Sequence, residues 1–176
     1  MTCESVVSMQ HAHAVGLVVL HWNFCENGLR HLLCDLSGME KGKCEHFTNA
    51  LSALQLIETL QGLAGSEGVS DTLREAVESA CAAAEVCRLN RNDIAHSWID
   101  IKGSSLYKPN MNRRKPRTQW RDFDLEVVRR VADECWTLGW YLISVGGYIE
   151  SLTNIRRRTQ KPLPIAKPER MPNDRD

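Results

Sequence analysis

Between Ala14 and Leu36, the residues Val15, Val18, Trp22, Cys25, Leu29, Leu32 and Leu36 recur at alternating steps of three and four. That spacing collects them on one side of a helix with 3.6 residues per turn, and a strand with its period of two would scatter them. Leu17, Phe24 and Leu33 widen the apolar face beyond one seam, which predicts more than one packing neighbour. A helix of this kind is stable only when other elements cover it, and the rest of the chain supplies them.

Gly38, followed by Lys41-Gly42-Lys43, ends the first pattern. A second helix is predicted over Glu45 to Leu63, with Phe47, Ala50, Leu54, Ile57 and Leu60 on its apolar face, before Gly62, Gly65 and Gly68 break it. Ser70 or Asp71 can cap a third helix, whose positive N-terminal end suits Glu75 and Glu78. That helix carries Leu73, Val77, Ala80, Cys81, Ala84 and Cys87 and leads into Arg91; its small residues imply close approach to a neighbour. Trp98 to Lys102 alternates apolar and polar residues, Gly103-Ser104-Ser105 is turn chemistry, and Leu106-Tyr107-Lys108 follows, which reads as a short β-hairpin or an ordered excursion. Asp122 or Asp124 then caps a long helix to about Leu152. Its stripe is Leu125, Val128, Ala132, Cys135, Leu138, Leu142, Val145, Ile149 and Leu152, broadened by Trp136, Trp140 and Tyr141. The expected architecture is all-α: an antiparallel four-helix bundle over residues 1–155, with a basic, hairpin-like insertion before the last long helix. Residues 156–176, basic and carrying Pro162, Pro164, Pro168 and Pro172, read as a flexible tail or an arm lying on a partner.

A hydrophobic share of 43% and a charged share of 25% are those of an ordinary globular chain of 176 residues. The longest apolar run, Ala14 to Leu20, is far short of the roughly 20 residues of a membrane span. No basic-then-apolar leader opens the sequence, so no secretory signal is expected. The seven cysteines contain no C-x-x-C and sit mostly at apolar helical positions. They are expected to be free thiols used as small hydrophobes in a reducing cytoplasm. The zero net charge conceals a polarity. Residues 1–101 hold 6 basic and 13 acidic side chains, and residues 102–176 hold 16 and 9. Such asymmetry hints at an anionic partner for the second half.

Several chemistries lack their residues. There is no Glu-x-x-His pair for a di-iron bundle, no Walker lysine loop, no Gly-rich dinucleotide fingerprint and no Gly-x-Ser-x-Gly elbow. His11-x-His13 reads as a polar helix start, and Cys44-Glu45-His46 lacks a second ligand pair. No metal or cofactor is expected. What stands out is Arg91-Asn92-Asp93-Ile94-Ala95-His96, where the amphipathic pattern stops and a basic segment begins. Attack of a ribose 2′-hydroxyl on its neighbouring phosphate needs a base and an acid. An imidazole with an ordinary pKa of about 6.5 supplies both forms near neutrality. The developing phosphoryl charge needs a permanent, forked cation, and Arg91 is one. Asn92 is suited to orient the imidazole or contact the phosphate. Five residues turn roughly 140° around an ideal helix, so Arg91 and His96 do not share a face. Either the helix ends or distorts near Asn92 to Ala95, or a second subunit completes the site. Glu26, beside the buried stripe of the first helix, either pairs with a motif cation or stands at the solvent boundary.

From Lys102 to Arg121 there are seven basic residues and no acidic one: Lys102, Lys108, Arg113, Arg114, Lys115, Arg117 and Arg121. With Trp98, Tyr107 and Trp120 available to stack bases, this segment is expected to guide RNA across the site. A solvated loop balancing the acidic first half is the plainer alternative.

The stretch R-N-D-I-A-H-S resembles the Arg-x4–6-His motif, often written R-N-x-x-x-H, of the HEPN superfamily of all-helical domains. Its place late in the third long helix, with one more long helix behind it, also resembles that family. So does W-N-F-C-E-N-G-L-R-H-L-L in the first helix, and the likeness of pattern covers roughly residues 10–152. The resemblance implies a metal-independent endoribonuclease acting as a homodimer, of the kind found in toxin–antitoxin, phage-defence and stress systems. It implies catalytic roles for Arg91 and His96 and an accessory role for Asn92. An antitoxin or nucleotidyltransferase partner would accompany a toxin. Other members have lost activity and bind RNA, a nucleotide or a protein partner.

Overall fold

The computed structural model of the chain describes residues 8–96, 98–99, 106–107, 124–153 and 160–171, with 98–99 and 106–107 described by backbone alone. The described residues form five helices: α1 (Met9–Ser37), α2 (Lys41–Asn49), α3 (Ala53–Ala64), α4 (Asp71–Ala95) and α5 (Leu125–Thr153). The described residues are all-α apart from a two-residue antiparallel ladder between α4 and α5. There Trp98 lies opposite Tyr107 (β1, Trp98–Ile99; β2, Leu106–Tyr107) and Ile99 opposite Leu106. Among the described residues no helix is long and apolar enough to cross a membrane.

Helix α1 is the centre of the packing, touching every other helix. Ser8 caps it, its hydroxyl accepting from the His11 N–H at 3.2 Å, a bond type worth about 1 kcal/mol. The predicted stripe is its buried side: Val18, Trp22, Cys25, Leu29 and Leu32 are inaccessible, with Leu33 beside them. Burial of each large side chain contributes about 1.5–3 kcal/mol. Gly38 ends the helix at φ 64°, in the left-handed region that a Cβ disfavours.

The second predicted helix is two. The chain breaks at Ala50 to Ser52, where a capping box opens α3. The Ser52 hydroxyl accepts from the Gln55 N–H, and the Ser52 N–H donates to the Gln55 side chain at 2.9 Å. Reciprocal capping satisfies two donors that a continuous helix would have bonded internally. The break re-aims the apolar residues: Ile57 and Leu60 are buried, whereas Phe47, Ala50 and Leu54 are exposed.

In α4, Ser70 is the cap, accepting from the Leu73 N–H at 3.4 Å. Its stripe of Leu73, Val77, Ala80, Cys81, Ala84 and Cys87 is buried against α3, α5 and α1. Helix α5 packs most heavily on α1. Two glycines make that contact close. A Cβ on Gly28 would stand 3.0 Å from Leu142, and one on Gly139 would stand 2.2 Å from the Phe24 ring. Along α5 the stripe from Val128 to Ile149 is buried, but Trp136, Trp140 and Leu152, expected on it, are exposed.

A further expectation changes. Cys34, on α1, and Cys44, on α2, form a disulfide with Cα atoms 5.5 Å apart. The reading of every cysteine as a free thiol is therefore corrected for this pair. The Gly38 turn brings the end of α1 and α2 side by side, which cysteine spacing alone does not reveal. Cys25, Cys81, Cys87 and Cys135 are free and buried, in keeping with small hydrophobes. Residues 160–171, part of the segment read from sequence as a flexible tail or an arm lying on a partner, lie as an extended strap along α4 and α5. Met171 is fully buried, and the Ser79 hydroxyl donates to the Ile165 carbonyl at 3.3 Å. Arg130 pairs with Glu169, and the Glu169 N–H donates to Glu134 at 3.3 Å. Proline and charge make such a segment a poor helix former, but they do not prevent docking on a helix that offers side-chain acceptors.

Candidate functional site

The stretch from Arg91 to His96 is the last turn and a half of α4. The helix stays regular through Ala95, and His96 is its C-cap at φ −102°, ψ 12°, its N–H bonded back to the Asn92 and Ile94 carbonyls. Of the two single-chain routes to a shared site, a distortion within 92–95 is absent, and the helix ends at the histidine itself.

The six residues divide between two sides of α4. Asn90, just before them, is fully buried, and Asp93 and Ile94 are nearly so. Arg170 of the strap grips this side, donating to Asn90 Oδ1 at 2.5 Å and to Asp93 Oδ2 at 2.6 Å. Asn90 in turn donates to the Glu169 carbonyl at 2.9 Å and accepts from the Met171 N–H at 3.0 Å. The amide of Asn90 thus fixes both main chain and side chain of the strap. A buried carboxylate such as Asp93 requires this kind of partner.

Arg91 is half-buried on another side. Its Nη1 donates to Asn92 Oδ1 at 3.0 Å, and its Nε is buried with no hydrogen-bond partner among the described residues. Its charge reaches Cys135 of α5. Cys25 Sγ donates to the Cys135 carbonyl at 2.8 Å, and the Cys135 thiol is held below the usual cysteine range by the neighbouring Cys25 and Cys87 side chains, with His21 and Arg91 adding to the effect. Cys25 and Cys87 are pushed up, first by the neighbouring Cys135 side chain and then by burial. Three thiols from α1, α4 and α5 thus lie close to one another. Asn92 is half-buried, and His96 is exposed at the helix end. Within one chain, then, the Arg91 and Asn92 side chains are brought together, and the His96 imidazole has no bond to either among the described residues.

Glu26 is half-buried, with no ion pair recorded among the described residues. Lys102, Lys108, Arg113, Arg114, Lys115, Arg117 and Arg121 lie outside the described residues, as does Trp120; Trp98 and Tyr107 are described only as backbone in the ladder. His11 joins Ser8 at the start of α1, at 2.8 Å between Nδ1 and Oγ, and His13 is exposed. Cys44 is engaged in the disulfide. No three His, Cys, Asp or Glu side chains among the described residues are arranged to hold a metal ion.

Sequence reading passed over His21. It is half-buried, and its Nδ1 lies 2.8 Å from the Ala132 carbonyl. A carbonyl oxygen can only accept, so Nδ1 carries the proton and, in the neutral ring, Nε2 is left as an acceptor. The imidazole also lies 5.0 Å from the Trp136 ring, centroid to centroid. The one sequence signal was its interruption of the apolar run from Ala14 to Leu20. Two surface grooves, of about 620 and 660 Å³, lie elsewhere, and neither is lined by Arg91, Asn92 or His96. Comparison with family models, curated proteins and solved structures found no match to this chain.

Proposed function

We propose that this chain is a HEPN-type, metal-independent endoribonuclease that cleaves RNA by attack of a 2′-hydroxyl on the adjacent phosphate. The observation that carries the reading is the intact R-N-x-x-x-H stretch at the end of a long helix, with a half-buried guanidinium and an exposed imidazole as its two chemical ends. Arg91 supplies a permanent cation for the charge that builds on the phosphoryl oxygens. Asn92 holds that guanidinium in place through the bond at 3.0 Å. His96, in contact with solvent, transfers protons to and from the reacting oxygens. Because the two lie on different sides of a regular helix, the reaction takes Arg91 and His96 from two copies in a homodimer. The helices α1, α3, α4 and α5 form the antiparallel four-helix frame, and the ladder after α4 begins a hairpin insertion. The basic residues between Lys102 and Arg121, with Trp98, deliver RNA to the motif. The setting is a cytoplasmic toxin–antitoxin, defence or stress system, with an antitoxin or nucleotidyltransferase as the accompanying partner.

The same separation of Arg91 from His96 favours a second reading, a HEPN-like module that binds RNA, a nucleotide or a protein without cleaving. An RNA-cleavage assay with chelator present divides the two. Activity in the wild type that falls at least 100-fold in both Arg91→Ala and His96→Ala supports the enzyme. Undiminished cleavage by both variants would sink the assignment of the motif. Salt-sensitive binding without products would leave the module.

A further inference from the structure

Helix α2 is anchored chiefly by one side chain. Seven of its nine residues are exposed, and only Cys44 and Thr48 are buried. The Thr48 hydroxyl stays within the helix, donating to the Glu45 carbonyl at 3.2 Å. The ion pairs of α2 among the described residues, Lys41–Glu45 and Lys43–Glu40, join it only to itself and to its own N-cap. Phe47, its one large apolar residue, is 47% exposed, and no side-chain bond caps its start at Glu40. A helix this short, without a cap or an apolar face to bury, is marginal in water. What holds it is Cys44, fully buried and bonded to Cys34 of α1.

Both ends of α2 are already turns. Gly38 stands before it at φ 64°, and α3 begins independently with the capping box of Ser52 and Gln55. Displacement of α2 therefore requires no unwinding of α1 or α3. The helix also contributes to the groove of about 620 Å³. Cys34 of α1 and Lys41 and Glu45 of α2 line it together with Leu142, Gly146 and Glu150 of α5. Cys34 is half-buried on this groove, whereas Cys44 is enclosed, so a thiol reagent meets the bridge at Cys34.

We infer that Cys34 and Cys44 form a thiol–disulfide switch that sets the position of α2 and, with it, the groove. Oxidised, the bridge pins α2 to α1 and completes the groove's wall. Reduced, the pair lets α2 leave α1 about the turns at Gly38 and residues 50–52, and the groove opens. The exchange runs through Cys34. A thiolate of a dithiol reductant attacks its sulfur, the S–S bond breaks, and Cys44 departs as a thiolate that takes a proton. The reductant's second thiol then displaces Cys34 and closes the reductant's own disulfide, so two electrons pass to the protein. Cys25, Cys81, Cys87 and Cys135, free and buried, are shielded from the same chemistry. A reducing compartment favours the released form and an oxidising one the pinned form.

Hydrogen exchange of the full chain, read by mass spectrometry, tests this without reference to RNA cleavage. The protein is oxidised with glutathione disulfide, and peptide mapping after alkylation identifies the Cys34–Cys44 bridge. In the oxidised form the amides of α2 should be protected. With dithiothreitol they should exchange within about 10-fold of free peptide amides, while α4 in the same sample stays protected. Cys34→Ser, which leaves Cys44 in place, should show the released pattern with no reductant. Failure of the bridge to form overturns the proposal, as does protection of α2 that is the same in both forms or that persists in Cys34→Ser. Loss of protection in α2 and α4 together on reduction also overturns it, since the bridge would then be a staple of the whole fold.

Discussion

Removing the guanidinium of Arg170 tests whether the strap holds the end of α4. In Arg170→Ala, Asp93 loses its bond at 2.6 Å and Asn90 loses one at 2.5 Å. The carboxylate is only 8% exposed, while the arginine side chain is 29% exposed. Breaking a fully buried pair costs about 3–5 kcal/mol, and an exposed pair about 0–1. This pair lies between them, because water reaches the cation and Asn90 keeps the Met171 N–H and the Glu169 carbonyl. A loss of about 2–3 kcal/mol is expected, or roughly 5–10 °C in the melting temperature of a chain this size. Urea unfolding of Arg170→Ala, Asp93→Asn and the double variant measures it. The two single losses should overlap, leaving a coupling energy of about 1–2 kcal/mol. Purely additive losses, or a single-variant loss below about 0.5 kcal/mol, would show that the strap is not clamped by this pair.

Two further perturbations follow from local chemistry. Burial pushes the Glu134 carboxyl up, against the lowering by the Glu169 N–H and Arg130. Since its folded pKa lies above the unfolded value of about 4.3, its ionisation opposes folding at neutral pH. Glu134→Gln, which keeps an acceptor for the Glu169 N–H, should stabilise the protein at pH 7, and the gain should fade as pH drops towards about 4. Thermal melts across that range check the sign, and a gain that grew on acidification would refute it. The Cys34–Cys44 disulfide closes a loop of sequence separation 10, so its reduction should cost about 2–3 kcal/mol on chain-entropy grounds. Melting of wild type and Cys34→Ser with and without dithiothreitol measures this; equal stability in all four conditions would show that the bridge does not form.

Helical content was legible because burial writes a local period into the chain. The stripes of α1 and α4, and most of that of α5, needed only 3.6-residue spacing. So did the caps at Ser70 and Gly38. The α2–α3 break was also written locally, as Ser52-Ala53-Leu54-Gln55, but the apolar spacing through it masked the cap. Trp136 and Trp140 show the limit of periodicity. Apolar residues beside a stripe read as its extension, and only the packed neighbours show that α1 stops short of covering them. Arg91, Asn92 and His96 stand out by motif and chemistry, and helical arithmetic already sets the first and last about 140° apart.

The sequence by itself determined which segments are helical, where α4 is capped and where α1 ends, since each depends on neighbours within a few positions. Tertiary structure decided the rest. It joined Cys34 to Cys44, gathered Cys25, Cys87 and Cys135 from three helices, and pressed His21 onto the Ala132 carbonyl. It also laid Arg170 across Asn90 and Asp93, nearly eighty residues away in the chain. Contacts at such separations leave no periodic trace in the sequence, because each depends on how whole helices dock and not on the residues next to it.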